Sequence, residues 1–205
     1  MKYCIILLVI LSFSFHSVAQ PLNYKVNPKA KRLDDSAIKL FTTCGESADC
    51  YKKINVLLDE AVKIDPKWYE GWANLISYLG RTDQYDKCLT ASIKLLQLYP
   101  DAPEAVFNCG IIQYKTKHPA DALISFGHLL KIYDNLLLKK PKIPNYNAVL
   151  TQKGITLILM DKDFEGKSIL RKLYTDETEP YQKSFIAFYI NKTKAEIIED
   201  RIPGK

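Results

Sequence analysis

Trp72-Ala73-Asn74-Leu75-Ile76-Ser77-Tyr78-Leu79 and Val106-Phe107-Asn108-Cys109-Gly110-Ile111-Ile112-Gln113 decide the fold. They stand 34 residues apart, and Asn74 returns as Asn108 at the same place in the pattern. The same offset turns Asp65-Pro66 into Tyr99-Pro100, Tyr51 into Tyr85 and Cys88 into Ala122, and it carries Leu58 to Ser92 to Phe126. A period of this length marks stacked supersecondary units, none of which buries its apolar face alone. Within a unit, pairs such as Leu58 and Ala61, or Phe126 and Leu129, lie three apart and share a helix face. Pro66 and Pro100 end the second helix of their units, because proline cannot continue the backbone ladder.

Small residues where two helices cross (Gly110, Cys88, Ala122) let the backbones approach. Large ones (Trp72, Leu75, Phe126) fill the space beside the crossing. On these residues the chain resembles the tetratricopeptide-repeat family, whose pattern is W-x2-L-G-x2-Y, A-x3-F, then P. One repeat reads Trp72-x2-Leu75-Ile76-x2-Leu79, then Tyr85, Cys88-x3-Ser92, Leu95 and Pro100. The next reads Val106-x2-Cys109-Gly110, then Ala122-x3-Phe126 and Leu129. An earlier repeat runs through Ile38, Phe41, Tyr51, Ile54-x3-Leu58, Ala61 and Pro66. A fourth is degenerate, with Gly154 and Gly166 in place but Lys153 where an apolar residue belongs. The resemblance covers residues 35–178. It implies an all-α superhelix of antiparallel helix pairs, three to four repeats long.

The expected helices lie near 34–44, 50–64, 68–80, 84–98, 102–115, 119–136, 146–160, 164–174 and 180–199. The last, carrying Tyr181, Phe185, Phe188 and Tyr189, reads as a C-terminal capping helix. Leu137–Pro144 is an insertion whose two prolines forbid a continuous helix. Residues 34–199 thus form the repeat domain and 200–205 a tail. Residues 20–33, with Pro21, Pro28 and Lys29-Ala30-Lys31-Arg32, form a lead-in segment.

Residues 1–19 read as a cleaved signal peptide: Lys2, an apolar run from Ile5 to Leu11, then small-x-small at Ser17-Val18-Ala19. The mature chain then starts near Gln20 and is exported, periplasmic or secreted. The alternative is an uncleaved anchor, although the run is shorter than the ~20 residues a span needs. No later run reaches that length, so no transmembrane helix is expected in the mature chain. The formal net charge of +6 is spread along the chain and too dilute to argue for nucleic acid.

Beyond the leader stand Cys44, Cys50, Cys88 and Cys109. Cys44 and Cys50 bracket a short loop; they are either bridged, which would add roughly 2 kcal/mol, or two free thiols. Cys88 and Cys109 fall at small apolar repeat positions and read as buried free thiols. His118 and His128 have no partner at zinc-ligand spacing, and no P-loop, dinucleotide fingerprint or nucleophile elbow is present. The expectation is a protein without catalytic residues, metal or cofactor.

Binding remains. The resemblance places the inner face at Glu70, Ala73, Ser77, Gly80 and Arg81 in one repeat, and at Glu104, Phe107, Ile111, Tyr114 and Lys115 in the next. The Lys and Asn residues of the family's carboxylate clamp are missing there. What stands instead is an apolar stripe, Phe107, Ile111 and Tyr114, continued by Ile155, Ile158 and Leu159. Either this stripe is an open groove for a protein or peptide segment, or it is already buried, under Leu136-Leu137-Leu138 or by tight coiling. Lys139-Lys140-Pro141-Lys142 is a basic loop, either simply solvated or in contact with an acidic partner or membrane headgroups. The expected function is a non-catalytic adaptor in the cell envelope. Its alternative is a structural subunit packing through its flanks or terminal helix.

Overall fold

The computed structural model describes residues 24–44, 47–139 and 146–201, and among these residues it contains helices and no strands. In order they are α1 (Pro28–Cys44), α2 (Ala48–Ile64), α3 (Tyr69–Arg81), α4 (Tyr85–Leu98) and α5 (Pro103–Lys115). The chain continues with α6 (Pro119–Leu138), α7 (Tyr146–Leu159), α8 (Asp163–Asp176), α9 (Pro180–Ile190) and α10 (Lys194–Arg201). From α1 to α9 each helix packs on the next, as in a solenoid, whereas α10 turns back onto α5 and α7.

Local chemistry sets the ends of these helices. Asn27 accepts a hydrogen bond from the Lys29 N–H at 2.9 Å, and Pro28 occupies the first turn, where its missing N–H costs nothing. Proline opens α5, α6 and α9 in the same way. Three repeats share one turn between their paired helices. Asp83, Lys117 and Asp161 hold φ of 55°, 64° and 62°. The next residue's N–H reaches back to Leu79, Gln113 and Leu157 respectively. This is the Schellman ending, with non-glycine residues in the left-handed place.

Crossings are tight where the sequence put small residues. A Cβ on Gly110 would lie 2.5 Å from the Phe126 ring, and one on Gly166 would lie 2.5 Å from the Gly154 carbonyl oxygen. The fourth pair, α7 and α8, is therefore complete despite its degenerate sequence. Lys153 stays partly exposed and reaches Asp134 at 2.6 Å.

One core gathers α1 to α5 around Ile54, Leu58, Leu75 and Leu95. A second gathers α5 to α10 around Phe126, Ile155, Ile158 and Leu170. Helix α5 feeds both, sending Ala105 and Ile112 into the first and Val106, Phe107 and Ile111 into the second. A satellite of Ala30, Ala61 and Trp68 is covered by Tyr24 and Val26. Tyr24 donates its hydroxyl to Asp65, whose other oxygen accepts from the Asn27 N–H at 2.8 Å.

Two expectations are corrected. The first helix begins at Pro28, not near residue 34, so half of the lead-in segment is helical and held down by Asp65. The final helix is not continuous over 180–199: it breaks after Ile190 and restarts at Lys194. Thr193 and Glu196 form a capping box that starts the new helix. The Thr193 N–H donates to the Glu196 carboxylate at 2.8 Å, and the Glu196 N–H donates to the Thr193 hydroxyl at 3.3 Å. Residues 1–23 (including the signal and the start near Gln20), most of the basic loop (Lys140–Lys142) and Pro144 lie outside the described residues. No helix among the described residues is long and apolar enough to cross a membrane.

Candidate functional site

The first helices of the pairs are α1, α3, α5 and α7; Asn74 of α3 donates to Asp34 of α1 at 2.7 Å, and α10 contacts both α5 and α7. On α5 and α7 the stripe is covered. Phe107 is 5% exposed, Ile111 1%, and Ile155 and Leu159 0%. As an exposed apolar groove the stripe is therefore corrected: its side chains belong to the second core. Leu136 and Leu137 pack against that core, as one of the covered readings expected. So do Ile197 and Ile198 of α10, which the sequence reading did not assign to it.

The edges of the same contact are polar. Lys115 meets Glu199 of α10 at 2.7 Å. Lys194 reaches Asp161 at 2.8 Å and sits 4.5 Å above the Tyr114 ring. The Arg201 guanidinium lies 5.2 Å from the Phe107 ring and donates to the Tyr189 hydroxyl at 2.9 Å. Phe107, Ile111, Tyr114, Lys115, Ile155 and Leu159 are thus brought together around α10. Arg81 is not among them. It stacks over Phe41 at 5.7 Å and Tyr78 at 6.0 Å, beside α1. Burial pushes up the pKa of the Tyr78 hydroxyl there.

The face of α3 remains partly open. Ala73, Ser77, Gly80 and Arg81 are half-buried, and a Cβ on Gly80 would meet nothing within 4 Å. Glu104, one repeat on from the exposed Glu70, keeps its contact with water, yet surrounding protein desolvates its carboxyl and raises its pKa. Tyr133 nearby is buried, and desolvation raises its pKa strongly. A shallow depression of about 680 Å³ lies elsewhere, among Tyr24, Val26, Asn27, Ile64 and Asp65.

Cys44 and Cys50 are joined by a disulfide, with Cα atoms 6.1 Å apart, which ties the end of α1 to the first turn of α2. Cys88 and Cys109 are free and buried, and burial pushes their pKa values up to about 12 and about 11. Among the described residues, no group of three or more His, Cys, Asp or Glu could hold a metal ion.

No family profile matches the chain. A stretch of 73 residues is 38% identical to Tetratricopeptide repeat protein 28 of Homo sapiens, covering 35% of this chain and 3% of that protein. The fold is similar to the crystal structure of PilW, a type IV pilus biogenesis factor. The TM-score is 0.51 at 16% identity, covering 87% of this chain and 80% of PilW. It is also similar to a MamA RS-1 double mutant, with a TM-score of 0.50 at 15% identity, over 86% of this chain and 94% of that one. The chain has a tetratricopeptide-repeat-like fold.

The feature at this candidate site that sequence reasoning missed is α10. A signal was present: Thr193-x-x-Glu196 directly before Ile197-Ile198 is a helix start followed by apolar residues. Reading one long helix through Asn191 hid it.

Proposed function

We propose that this chain is a non-catalytic adaptor of the cell envelope that takes a protein segment on the inner layer formed by α1, α3, α5 and α7. The observation that carries the reading is the split of that layer. Its C-terminal half already holds a helix, α10, while the matching places on α3 stay accessible. A surface that seats one amphipathic helix has the chemistry to seat another. The apolar leader and the Cys44–Cys50 disulfide fit an exported protein, since such bonds persist in oxidising compartments.

The test is cross-linking in the native envelope, comparing wild type with Ser77→Arg plus Arg81→Glu. Loss of captured partners with the helical signal unchanged is expected. An unchanged set of partners would sink the inner-face reading. Phe107→Ala with Ile111→Asp is not a suitable probe, because both side chains are core.

A second reading, a subunit that packs through its outer flank or terminal helix, has its own support. Ile124 on α6 is 71% exposed and Phe164 on α8 is 84% exposed, and α9 exposes Tyr181 and Phe188. These side chains sit outside the inner layer. Ile124→Ser with Phe164→Ser would then reduce the size of the native complex, read by sedimentation, and leave inner-face capture intact.

A further inference from the structure

We propose that α10 is a displaceable occupant of the inner groove, and that the groove's external ligand is a short amphipathic helix with α10's own pattern. That pattern is two adjacent isoleucine-sized residues, an acidic residue next to them and a basic residue three positions after the second. The proposal rests on the adaptor reading and adds the partner's chemistry and a means of regulation.

The pattern is read from the seat itself. Ile197 and Ile198 enter the core beside Phe107, Ile111 and Ile155. Glu199 faces Lys115, and Arg201 lies over Phe107. The Lys115–Glu199 and Lys194–Asp161 contacts lie at the rim, between side chains that keep some solvent exposure, so a second helix of like charge can replace them; Arg201 reaches further in, to the hydroxyl of the buried Tyr189.

The connection permits release. Helix α9 contacts α8 and buries Ile186 and Tyr189 in the second core; release of α10 breaks the Arg201 bond to the Tyr189 hydroxyl but not the α8–α9 contact. Only Asn191, Lys192 and Thr193 join it to α10, so α10 can leave while the repeat stack stays capped. A helix of eight residues does not persist alone in water, so α10 is either docked and helical or released and unfolded. That is a two-state element, and an incoming ligand must compete with the docked fraction.

The probe is a capped peptide of residues 192–201 added to the full chain, with a control peptide carrying aspartate in place of both isoleucines. The released variant, Ile197→Asp with Ile198→Asp, is expected to bind the peptide at least tenfold more tightly than wild type. The control peptide should bind neither protein. Because the released variant exposes core residues and can fail to fold, a second protein keeps the test decisive. Lys115→Cys with Glu199→Cys, bridged by a short bis-maleimide, holds α10 down. The bridged form should bind no peptide, whereas the same double variant left unbridged should bind it, its affinity shifted from wild type by loss of the Lys115–Glu199 contact. Equal binding by bridged and unbridged forms, or no binding by a folded released variant, overturns the proposal. Neither result touches partner capture through Ser77 and Arg81, so failure of the latch is distinct from failure of the adaptor reading.

Discussion

At the scale of single residues, the backbone constraints lead to opposite outcomes for similar substitutions. Lys117 holds a left-handed φ of 64° that costs a side chain about 1–2 kcal/mol. Lys117→Gly is therefore expected to stabilise the fold by about 1 kcal/mol, read as a raised Tm. Gly80 and Gly166 separate in the same manner. A methyl group on Gly80 points into open space, so Gly80→Ala should gain helix propensity, up to about 1 kcal/mol. On Gly166 it meets a backbone carbonyl at 2.5 Å, so Gly166→Ala should cost about 2 kcal/mol and lower the Tm by roughly 4–8 °C. The buried thiols give another check. With their pKa values raised, Cys88 and Cys109 should resist alkylation at pH 8 in the folded protein and react once it is unfolded. Mass spectrometry of intact protein reads both states.

At the scale of elements, helix starts and stops decide what the chain can release. Thr193→Ala removes one half of the α10 cap, worth about 1 kcal/mol. Amide exchange in α10 should then speed up severalfold while α9 is unchanged. Acid should act on the same cap. The Thr193 backbone N–H holds the Glu196 carboxyl below its ordinary value. A carboxylate with a depressed folded pKa supports its helix at neutral pH and loses that support as pH falls below about 4 through the folded value. Exchange in α10 should rise across that window before the repeat stack melts. These elements also show what could be read from sequence. Trp72, Gly110 and Phe126 revealed the helix pairs because a small residue facing a large one at a fixed period has few other physical uses. The fourth pair was harder, since Lys153 breaks the apolar pattern; its long side chain reaches solvent at the rim and meets Asp134. The inner face was legible as positions but not as a site. Periodicity says which residues share a face, not whether a later segment covers it. The Asn27-Pro28 start and the Thr193–Glu196 box were both visible in the sequence, and both were overridden by extending or trimming a helix on apolar spacing.

At the scale of the whole molecule, stability is distributed along a line. Each pair touches its neighbours, and the two cores share α5. Protection against amide exchange should peak in α5 to α7 and fall toward α1 and α10. The disulfide stands at the weak N-terminal end. Cys44→Ser with Cys50→Ser should lower stability by about 2 kcal/mol, with the loss confined to α1 and α2 in an exchange experiment. Uniform loss across all helices would contradict a linear array.

Helix α5 also bears on how this protein can change over time. Its neighbours can accept a shifted residue on a solvent side, but α5 presents apolar side chains to both cores at once. One inserted residue would turn the rest of the helix by about 100° and misplace both sets together. Repeats can be lost, gained or allowed to drift on either side of α5. The segment 103–115 is where the array's length can vary least.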